Sequence, residues 1–200
     1  MEENLSTNSQ NEIPKIKKQG SFFMEIVKFT TIAVIIVVPF RLFIAQPFVV
    51  SGASMDPTFE TGEYLIVDQL SYKFEDPQRE SVVVFRYPKD TTKFFIKRII
   101  GLPGETIEIH GTSVKIKNTE HPEGIILNEP YVAINHEKQE DMTFTLKENQ
   151  YFVMGDNRSG SSDSRMWGPV DAKLITGRPF VRLLPLSKIS LFPGNASAQN

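Results

Sequence analysis

Three polar segments carry the residue types that acyl transfer needs without histidine or cysteine. The first, Ser51-Gly-Ala-Ser-Met-Asp-Pro-Thr58, contains Ser54 between Gly52 and Pro57. The glycine and the proline predict a bend that presents Ser54 on a loop. A serine in a loop usually hydrogen-bonds only the local backbone, so this segment alone is weak evidence for a nucleophile.

The second segment, residues 93–105, places cations within an apolar strand pattern. Period-two alternation puts Lys97 on one face with Phe95, and Arg98 on the other. A strand edge or a snorkelling aliphatic stem is the ordinary explanation for such a cation. The functional alternative is desolvation, because a buried amine favours its neutral form and can then accept a proton from a hydroxyl. Lowering a lysine pKa by ~3 units costs about 4 kcal/mol, which a fold accepts mainly where a neutral amine is useful.

The third segment follows a predicted strand and is rich in charge. Its loop, residues 155–165, contains two aspartates, two arginines and four serines. Serine-rich loops are often linkers, but this density of opposite charges predicts an ordered, salt-bridged loop. Functional residues favour loops on a rigid scaffold, so we expect this loop to be ordered for function.

The residue inventory excludes several kinds of chemistry. The chain of 200 residues has no cysteine, so disulfides, thiolate metal sites and cysteine nucleophiles are impossible. Its histidines, His110, His121 and His136, lie in turn-rich surroundings at spacings unsuited to a helical metal pair. No Gly-x-Ser-x-Gly, Ser-x-x-Lys, Walker or Rossmann pattern is present. We therefore expect no metal and no cofactor, and a serine enzyme here needs a base such as a lysine from another segment.

Charge and mean hydropathy describe a polar chain. The 22 basic and 24 acidic residues give a net charge of −2, and the lack of a basic excess argues against a nucleic-acid partner. The mean hydropathy of −0.21 is an average that conceals one strongly apolar segment near the N-terminus.

That apolar segment, residues 26–45, has charges only at Lys28 and Arg41. As a helix it spans ~30 Å, about one hydrocarbon core. Pro39 predicts a kink that a membrane helix tolerates. We predict a transmembrane anchor over residues 25–46, with a cleaved signal peptide and a buried core helix as alternatives.

Lysines are unevenly distributed about this segment. Lys15, Lys17, Lys18 and Lys28 precede or begin it, whereas residues 42–72 contain no lysine or arginine. The positive-inside rule then predicts a single-pass protein with a cytoplasmic N-terminus and the remainder of the chain outside.

Composition divides the rest of the chain. Residues 1–24 are polar and predict a disordered cytoplasmic tail. Residues 47–194 consist of short runs rich in β-branched and aromatic residues, which predict a mostly antiparallel β domain. Within it the polar stretch 118–141 predicts a small insertion, and residues 195–200 predict a frayed C-terminal tail. The predicted strands are 64–68, 81–87, 93–100, 106–110, 113–117, 142–146, 151–154 and 176–182.

Together and in this order, the three polar segments resemble the motifs of bacterial type I signal peptidases (leader peptidases), membrane-anchored proteases that use a serine and a lysine. The resemblance covers about residues 29–185. The motifs are Ser-Gly-Ala-Ser-Met-Asp-Pro-Thr, Lys-Arg-Ile-Ile-Gly-Leu-Pro-Gly-Glu and Gly-Asp-Asn-Arg-Ser-Gly-Ser-Ser-Asp-Ser-Arg. The resemblance implies an antiparallel β catalytic domain of the signal-peptidase type, located on the outer face of the bacterial cytoplasmic membrane.

By position, the resemblance implies a role for each site residue. Ser54 is the nucleophile, Lys97 is the general base, and Ser161 orients the lysine amine through a hydrogen bond. A supporting electrostatic shell is formed by Arg98, Asp163 and Arg165. The Ser54 N–H is one oxyanion donor. Some family members supply a second donor from a serine hydroxyl, but this sequence has Gly52 there, so the second donor is backbone or absent.

The resemblance also implies how substrate binds. An extended peptide lies between residues 48–52 and the strand before Lys97, and main-chain pairing supplies affinity. Phe48, Val50 and Ile96 line shallow apolar pockets that admit only small side chains such as alanine. This preference matches the small-residue cleavage sites of secretory signal peptides. The expected partners are therefore exported preproteins with signal peptides, together with membrane lipid.

We therefore predict a membrane-bound serine endopeptidase that removes N-terminal signal peptides from exported preproteins. A Ser–Lys self-cleaving repressor is one alternative, but an apolar segment occupies the place of its DNA-binding helices. A catalytically inactive, membrane-tethered β domain that binds extended peptides is the other, and the presence of Ser54, Lys97 and Ser161 argues against it.

Overall fold

The computed structural model describes residues 19–43, 45–132 and 139–195. The chain divides into two compact units, with the boundary in the sequence between Pro39 and Phe40. The predicted tail residues 1–18 and 196–200, together with His136, lie outside the described ranges. The described strands pair in antiparallel fashion, which confirms the predicted mostly β fold class.

The N-terminal helix, α1 (Gln19–Phe43), is 25 residues long. Its large apolar side chains between Phe22 and Val38 are exposed. Over the described parts of the chain, no helix is both long enough and apolar enough to cross a membrane. The transmembrane span predicted for residues 25–46 is therefore not supported by this structure. Ala45 and Gln46, which that prediction included, begin a strand instead.

Strands dominate the second unit. They are β1 (Ala45–Val49), β2 (Tyr64–Asp68), β3 (Val82–Tyr87), β4 (Asp90–Gly101), β5 (Thr106–Gly111), β6 (Ser113–Lys117), β7 (Ile125–Ile126), β8 (Gln139–Thr145), β9 (Gln150–Met154), β10 (Val170–Asp171), β11 (Ile175–Leu184) and β12 (Ser190–Leu191). A short helix, α2 (Ser164–Trp167), and 3₁₀ turns at Ser71–Lys73, Ala172–Leu174 and Leu186–Lys188 complete the described elements. All eight predicted strands are present, and β2 and β6 have the predicted bounds.

The larger sheet has the order β1-β2-β11-β3-β4-β9-β10, and β12 pairs with β11. Among the described strands, β1 lies at the edge and pairs with β2 alone. In the interior, β4 lies between β3 and β9, with Lys97 opposite Val83 and Arg98 opposite Met154. This interior position leaves Lys97 only 3% exposed and Arg98 fully buried.

The smaller sheet has the order β7-β6-β5-β8. The polar stretch 118–141, predicted to be a small insertion, contributes β7 and the beginning of β8 to this sheet, and its residues 133–138 lie outside the described ranges. Apolar residues of β5 and β6, such as Ile107 and Ile116, share a buried cluster with Phe152 of β9. The smaller sheet therefore packs against the strand that leads into the charged loop at residues 155–165.

Candidate active site

Ser54 and Lys97 meet at the surface of the larger sheet. Lys97 Nζ donates a hydrogen bond to Ser54 Oγ at 2.7 Å and another to the carbonyl oxygen of Ile96 at 2.9 Å. Ser54 lies in the segment between β1 and β2, and Lys97 lies within β4. The structure thus brings together the residues predicted to be the nucleophile and the base, at a distance suited to proton transfer.

The Ser54 segment is anchored on both sides of the serine. The N–H of Val50 donates to the carbonyl of Glu63 at 2.9 Å, which fixes the beginning of the segment. After the serine, Met55 and Phe59 are buried in one apolar cluster with Val50. Because its neighbours are held in the core, Ser54 is presented toward the amine in a half-buried position.

Burial is the main influence on the titration of Lys97. Desolvation lowers the pKa of Lys97 from 10.5 to about 8. The negative charges of Asp163 and Asp156 oppose this decrease, and the positive charge of Arg165 adds to it. The ring of Phe95 lies 5.4 Å from Lys97 Nζ and forms part of its apolar surroundings. With a pKa near 8, about a tenth of the amine is neutral at pH 7.

A cavity of about 510 Å³ lies beside the Ser54–Lys97 pair. Its walls include the three predicted pocket residues, Phe48, Val50 and Ile96, as well as Ser54 and Lys97. The cavity is within the size range of ligand sites in proteins, and its walls include parts of edge strand β1, of β4 and of the segment that carries Ser54. The three predicted pocket residues therefore lie next to the pair, and their part in substrate binding stays a prediction.

The Ser54 amide was predicted as one oxyanion donor, and a second donor at Gly52 was left open as backbone or absent. Gly52 has φ +94°, and its N–H donates to Thr61 Oγ1 at 3.1 Å. In contrast, the Ser54 N–H donates to no group among the residues that the structure describes. Of these two amides, that of Ser54 is therefore the one left free to meet an oxyanion in this conformation.

Asp163 and Arg165 form a buried ion pair behind the site. Arg165 Nε donates to Asp163 Oδ1 at 2.8 Å, and Arg165 Nη2 donates to Asp163 Oδ2 at 2.7 Å. Asp163 also caps α2 by accepting the Arg165 N–H, and it accepts the Gly155 N–H at 3.0 Å. The pair thus fixes the peptide of Gly155, and its two charges act on the pKa of Lys97 in opposite directions.

Ser161 lies near the serine backbone. It is 8% exposed, and a Cβ atom on Gly155 would overlap both Ser161 Oγ and the carbonyl oxygen of Ser54. Within the described ranges, Ser161 Oγ has no hydrogen-bond partner. The predicted hydrogen bond from Ser161 to Lys97 is therefore not formed here, and an orienting role for Ser161 stays a prediction.

Arg98 pairs with Asp156, a partner that the sequence did not assign to it. Arg98 Nε donates to Asp156 Oδ1 at 2.9 Å, and Nη2 donates to Oδ2 at 2.6 Å. Thr58 Oγ1 donates to the same carboxylate at 2.6 Å, and Arg98 Nη1 donates to the carbonyls of Glu80 and Gly194. Because Thr58 follows the nucleophile in sequence, this pair ties the Ser54 segment to β4.

Sequence reasoning missed the roles of Asn157 and Arg158 in the charged loop. The Asn157 N–H donates to the Ser54 carbonyl at 3.2 Å, and Asn157 Nδ2 donates to the Ala53 carbonyl at 3.0 Å. Arg158 pairs with Glu129, which lies in the predicted insertion. The charge density of the loop indicated order, but only the folded chain shows which backbone groups it holds.

The structure describes no group of three or more histidine, aspartate and glutamate residues placed to bind a metal, within residues 19–43, 45–132 and 139–195. His110 Nδ1 lies 3.1 Å from Asp141 Oδ2, and both side chains are more than half exposed. His121 is exposed as well.

Comparison with known proteins places residues 23–184 in one family model, described as signal peptidase, peptidase S26. A probable signal peptidase I-2 of Synechocystis sp. is 33% identical over 203 residues, covering 98% of this chain and 89% of the relative. The signal peptidase I of Bacillus licheniformis is 32% identical, covering 94% of this chain and 98% of the relative. A crystal structure of a signal peptidase I from Enterococcus faecalis V583 has 33% identity and a TM-score of 0.44, covering 52% of this chain and 97% of that one.

Proposed function

The chain belongs to the signal peptidase family, peptidase S26, whose activity is the removal of signal peptides by a serine peptidase, and we propose that Ser54 is its nucleophile and Lys97 its general base. The observation that carries this assignment is the 2.7 Å hydrogen bond between Lys97 Nζ and Ser54 Oγ beside a cavity with apolar walls. The substrates are exported preproteins with signal peptides.

The reaction begins with proton transfer from the serine. Neutral Lys97 accepts the Ser54 proton as Oγ attacks the scissile carbonyl carbon. The resulting ammonium group gives a proton to the leaving amine, so the mature protein departs and the signal peptide stays as an ester on Ser54. Neutral Lys97 then takes a proton from water, and the hydroxide attacks the ester. As the ester bond breaks, the Lys97 ammonium returns that proton to Ser54 Oγ, so the signal peptide leaves with a free carboxyl group and both side chains are restored.

Negative charge that develops on the carbonyl oxygen needs a donor. The Ser54 N–H is the donor we propose, because no described residue accepts from it. The Gly52 N–H is already held by Thr61 Oγ1 and is not proposed as a second donor in this conformation.

Substrate recognition follows from the walls of the cavity. Edge strand β1 has one side free of β pairing, so an extended peptide can pair with this segment while its alternate side chains enter the cavity. Phe48, Val50 and Ile96 then contact those side chains. Bulky walls leave space for small residues, in agreement with the small-residue sites at which secretory signal peptides are cut.

We also propose that α1 attaches the protein to the bacterial cytoplasmic membrane, with the β domain on the outer side. Two observations support the proposal. Large apolar side chains of α1 such as Phe29 and Ile35 are 72% and 65% exposed. Residues 42–72 lack lysine and arginine, whereas lysines precede α1. Cell fractionation and protease accessibility of the β domain test this proposal, and a β domain protected with the cytoplasm would contradict it.

Cleavage of a detergent-solubilised preprotein, with the products separated by size on a gel, tests the catalytic assignment. Ser54→Ala and Lys97→Met should each lower cleavage by at least about 100-fold. The matched controls are Ser113→Ala and Lys115→Ala, on a strand remote from the cavity lining, and they should cleave as the unmodified enzyme does. An unmodified enzyme that leaves the preprotein intact would contradict the activity, whereas full cleavage by Ser54→Ala would contradict only the residue roles.

A further inference from the structure

A buried ion pair behind the active site joins the third sequence motif to a region outside the motifs. It joins Arg158 of the charged loop to Glu129, which follows β7, and the two side chains are only 3% and 9% exposed. Arg158 Nη1 donates to Glu129 Oε2 at 2.8 Å, and Arg158 Nη2 donates to Glu129 Oε1. In the part of the chain that the structure describes, Glu129 is the one carboxylate within ion-pair distance of Arg158. A charge pair removed from water in this way depends on such two-point geometry.

The third nitrogen donor of Arg158 reaches the active-site loop. Arg158 Nε donates to the Gly155 carbonyl at 3.1 Å, while the Gly155 N–H donates to Asp163 Oδ2 at 3.0 Å. Charged side chains therefore hold Gly155 through both its N–H and its carbonyl. Gly155 in turn lies so close to Ser54 and Ser161 that it has no space for a Cβ atom. These contacts connect Arg158 through Gly155 to the nucleophile segment.

Tyr131 reinforces the same connection. Its hydroxyl donates to Glu129 Oε1 at 3.2 Å, and its ring centre lies 3.9 Å from the guanidinium carbon of Arg98. Arg98 is paired with Asp156, the loop residue that directly follows Gly155. The segment that carries Glu129 and Tyr131 therefore contacts two of the buried arginines behind the Ser54–Lys97 pair, Arg98 and Arg158.

We propose that Glu129 is a positioning residue for peptide cleavage, which acts by neutralising and orienting Arg158 and so fixes Gly155 and Ser54. The proposal rests on the proposed role of Ser54. A residue of the stretch 118–141, which lies outside the sequence motifs, would thus help to position Ser54. Glu129 itself does not line the cavity, so its action is on the geometry of the reacting group and not on substrate binding.

Steady-state kinetics of preprotein cleavage distinguish an effect on the reacting group, which changes kcat, from an effect on substrate binding, which changes KM. Glu129→Gln should lower kcat by about 100-fold while KM changes by less than about twofold, since the cavity walls are unchanged. Glu129→Asp keeps the carboxylate and should recover part of kcat. The matched control is Glu108→Gln, which removes a carboxylate paired with Lys117 in the smaller sheet and should leave kcat unchanged.

The double variant Glu129→Gln/Arg158→Gln separates positioning from folding, because it leaves no unpaired charge buried. A folded double variant with low kcat and unchanged KM supports the proposal. Wild-type kcat in Glu129→Gln or in the double variant overturns it, as does loss of the folded state in all three variants, which would assign the pair to folding alone. Failure of the unmodified enzyme to cleave would instead contradict the proposed function, so the two failures are distinguishable.

Discussion

Gly155 lies directly against Ser54, in a space that no larger residue can occupy. A Cβ atom on Gly155 would overlap the carbonyl oxygen of Ser54 and the hydroxyl of Ser161. Asn157, two residues after Gly155, donates its N–H to the same Ser54 carbonyl at 3.2 Å. The proposed nucleophile is therefore supported from behind by backbone contacts, and its position depends on how closely two loops approach.

The first prediction concerns this approach. Gly155→Ala should lower kcat by about 100-fold, because the added methyl group displaces the Ser54 carbonyl. Overpacking should also lower the free energy of unfolding by about 1–3 kcal/mol. Preprotein cleavage and urea denaturation measure the two effects.

Gly168→Ala is the matched control for that substitution. Gly168 has φ +88° and open space around its Cβ position, so alanine there adds backbone strain of about 1–3 kcal/mol without a clash at the site. It should lower stability but leave kcat of the folded enzyme unchanged. A wild-type kcat in Gly155→Ala would show that the loops can separate without harm to the reaction.

The second prediction is a pH profile. Desolvation lowers the pKa of Lys97 to about 8, and only the neutral amine can accept the serine proton. As the pH falls below about 8, protonation should reduce kcat/KM about tenfold per pH unit. Cleavage rates of a preprotein between pH 5 and pH 10 measure the acid limb, which reports on the free enzyme. A limb that appears only below about pH 5 would exclude Lys97 as the base.

The third prediction uses the charges that surround Lys97. Asp163 raises the pKa of Lys97, opposing the larger effect of desolvation, so Asp163→Asn should move the acid limb to lower pH. The same change leaves Arg165 without its carboxylate and frees the Gly155 N–H from a charged acceptor, so kcat should fall. Asp171→Asn, which alters an ion pair with the exposed Lys173, is the control and should shift neither quantity. An acid limb that moved to higher pH would contradict the proposed sign.

The proximity of Ser54 and Lys97 was predictable because each residue carried its own sequence signal. Ser54 lies on a predicted bend, and Lys97 lies within an apolar strand where only a neutral amine is easily accommodated. Motif order then joined them through the family resemblance. The alternation of apolar and polar residues was clear at β2 and β6, whose bounds were predicted correctly. β7, β10 and β12 have two residues each and are too short to show an alternation.

The partners of buried charges were not predictable in the same way. Alternation showed that Arg98 lies on the opposite face from Lys97, but it could not choose between Asp156 and Asp163, which are both in one loop. Glu129 is 29 positions from Arg158, in a stretch whose polar composition suggested only an insertion. Such pairs are set by how strands of two sheets meet, which local sequence does not encode.

The fourth prediction concerns the Arg98–Asp156 pair, whose side chains are 0% and 1% exposed. Arg98→Met leaves the Asp156 carboxylate buried without its cation and leaves the Gly194 carbonyl without the Arg98 donor. We expect the free energy of unfolding to fall by about 3–5 kcal/mol. Lys117→Met breaks a more exposed pair with Glu108 and should lower it by only about 0–1 kcal/mol.

Urea denaturation of a double variant identifies the cause of that loss. Arg98→Met/Asp156→Leu removes both charges, so the part of the loss that comes from an unpaired buried carboxylate should be recovered. The part that comes from the carbonyls of Glu80 and Gly194, which accept from Arg98, should persist. If the double variant is no more stable than Arg98→Met, the arginine stabilises the fold through those carbonyls and its packing on Tyr131, and the ion pair with Asp156 contributes nothing measurable.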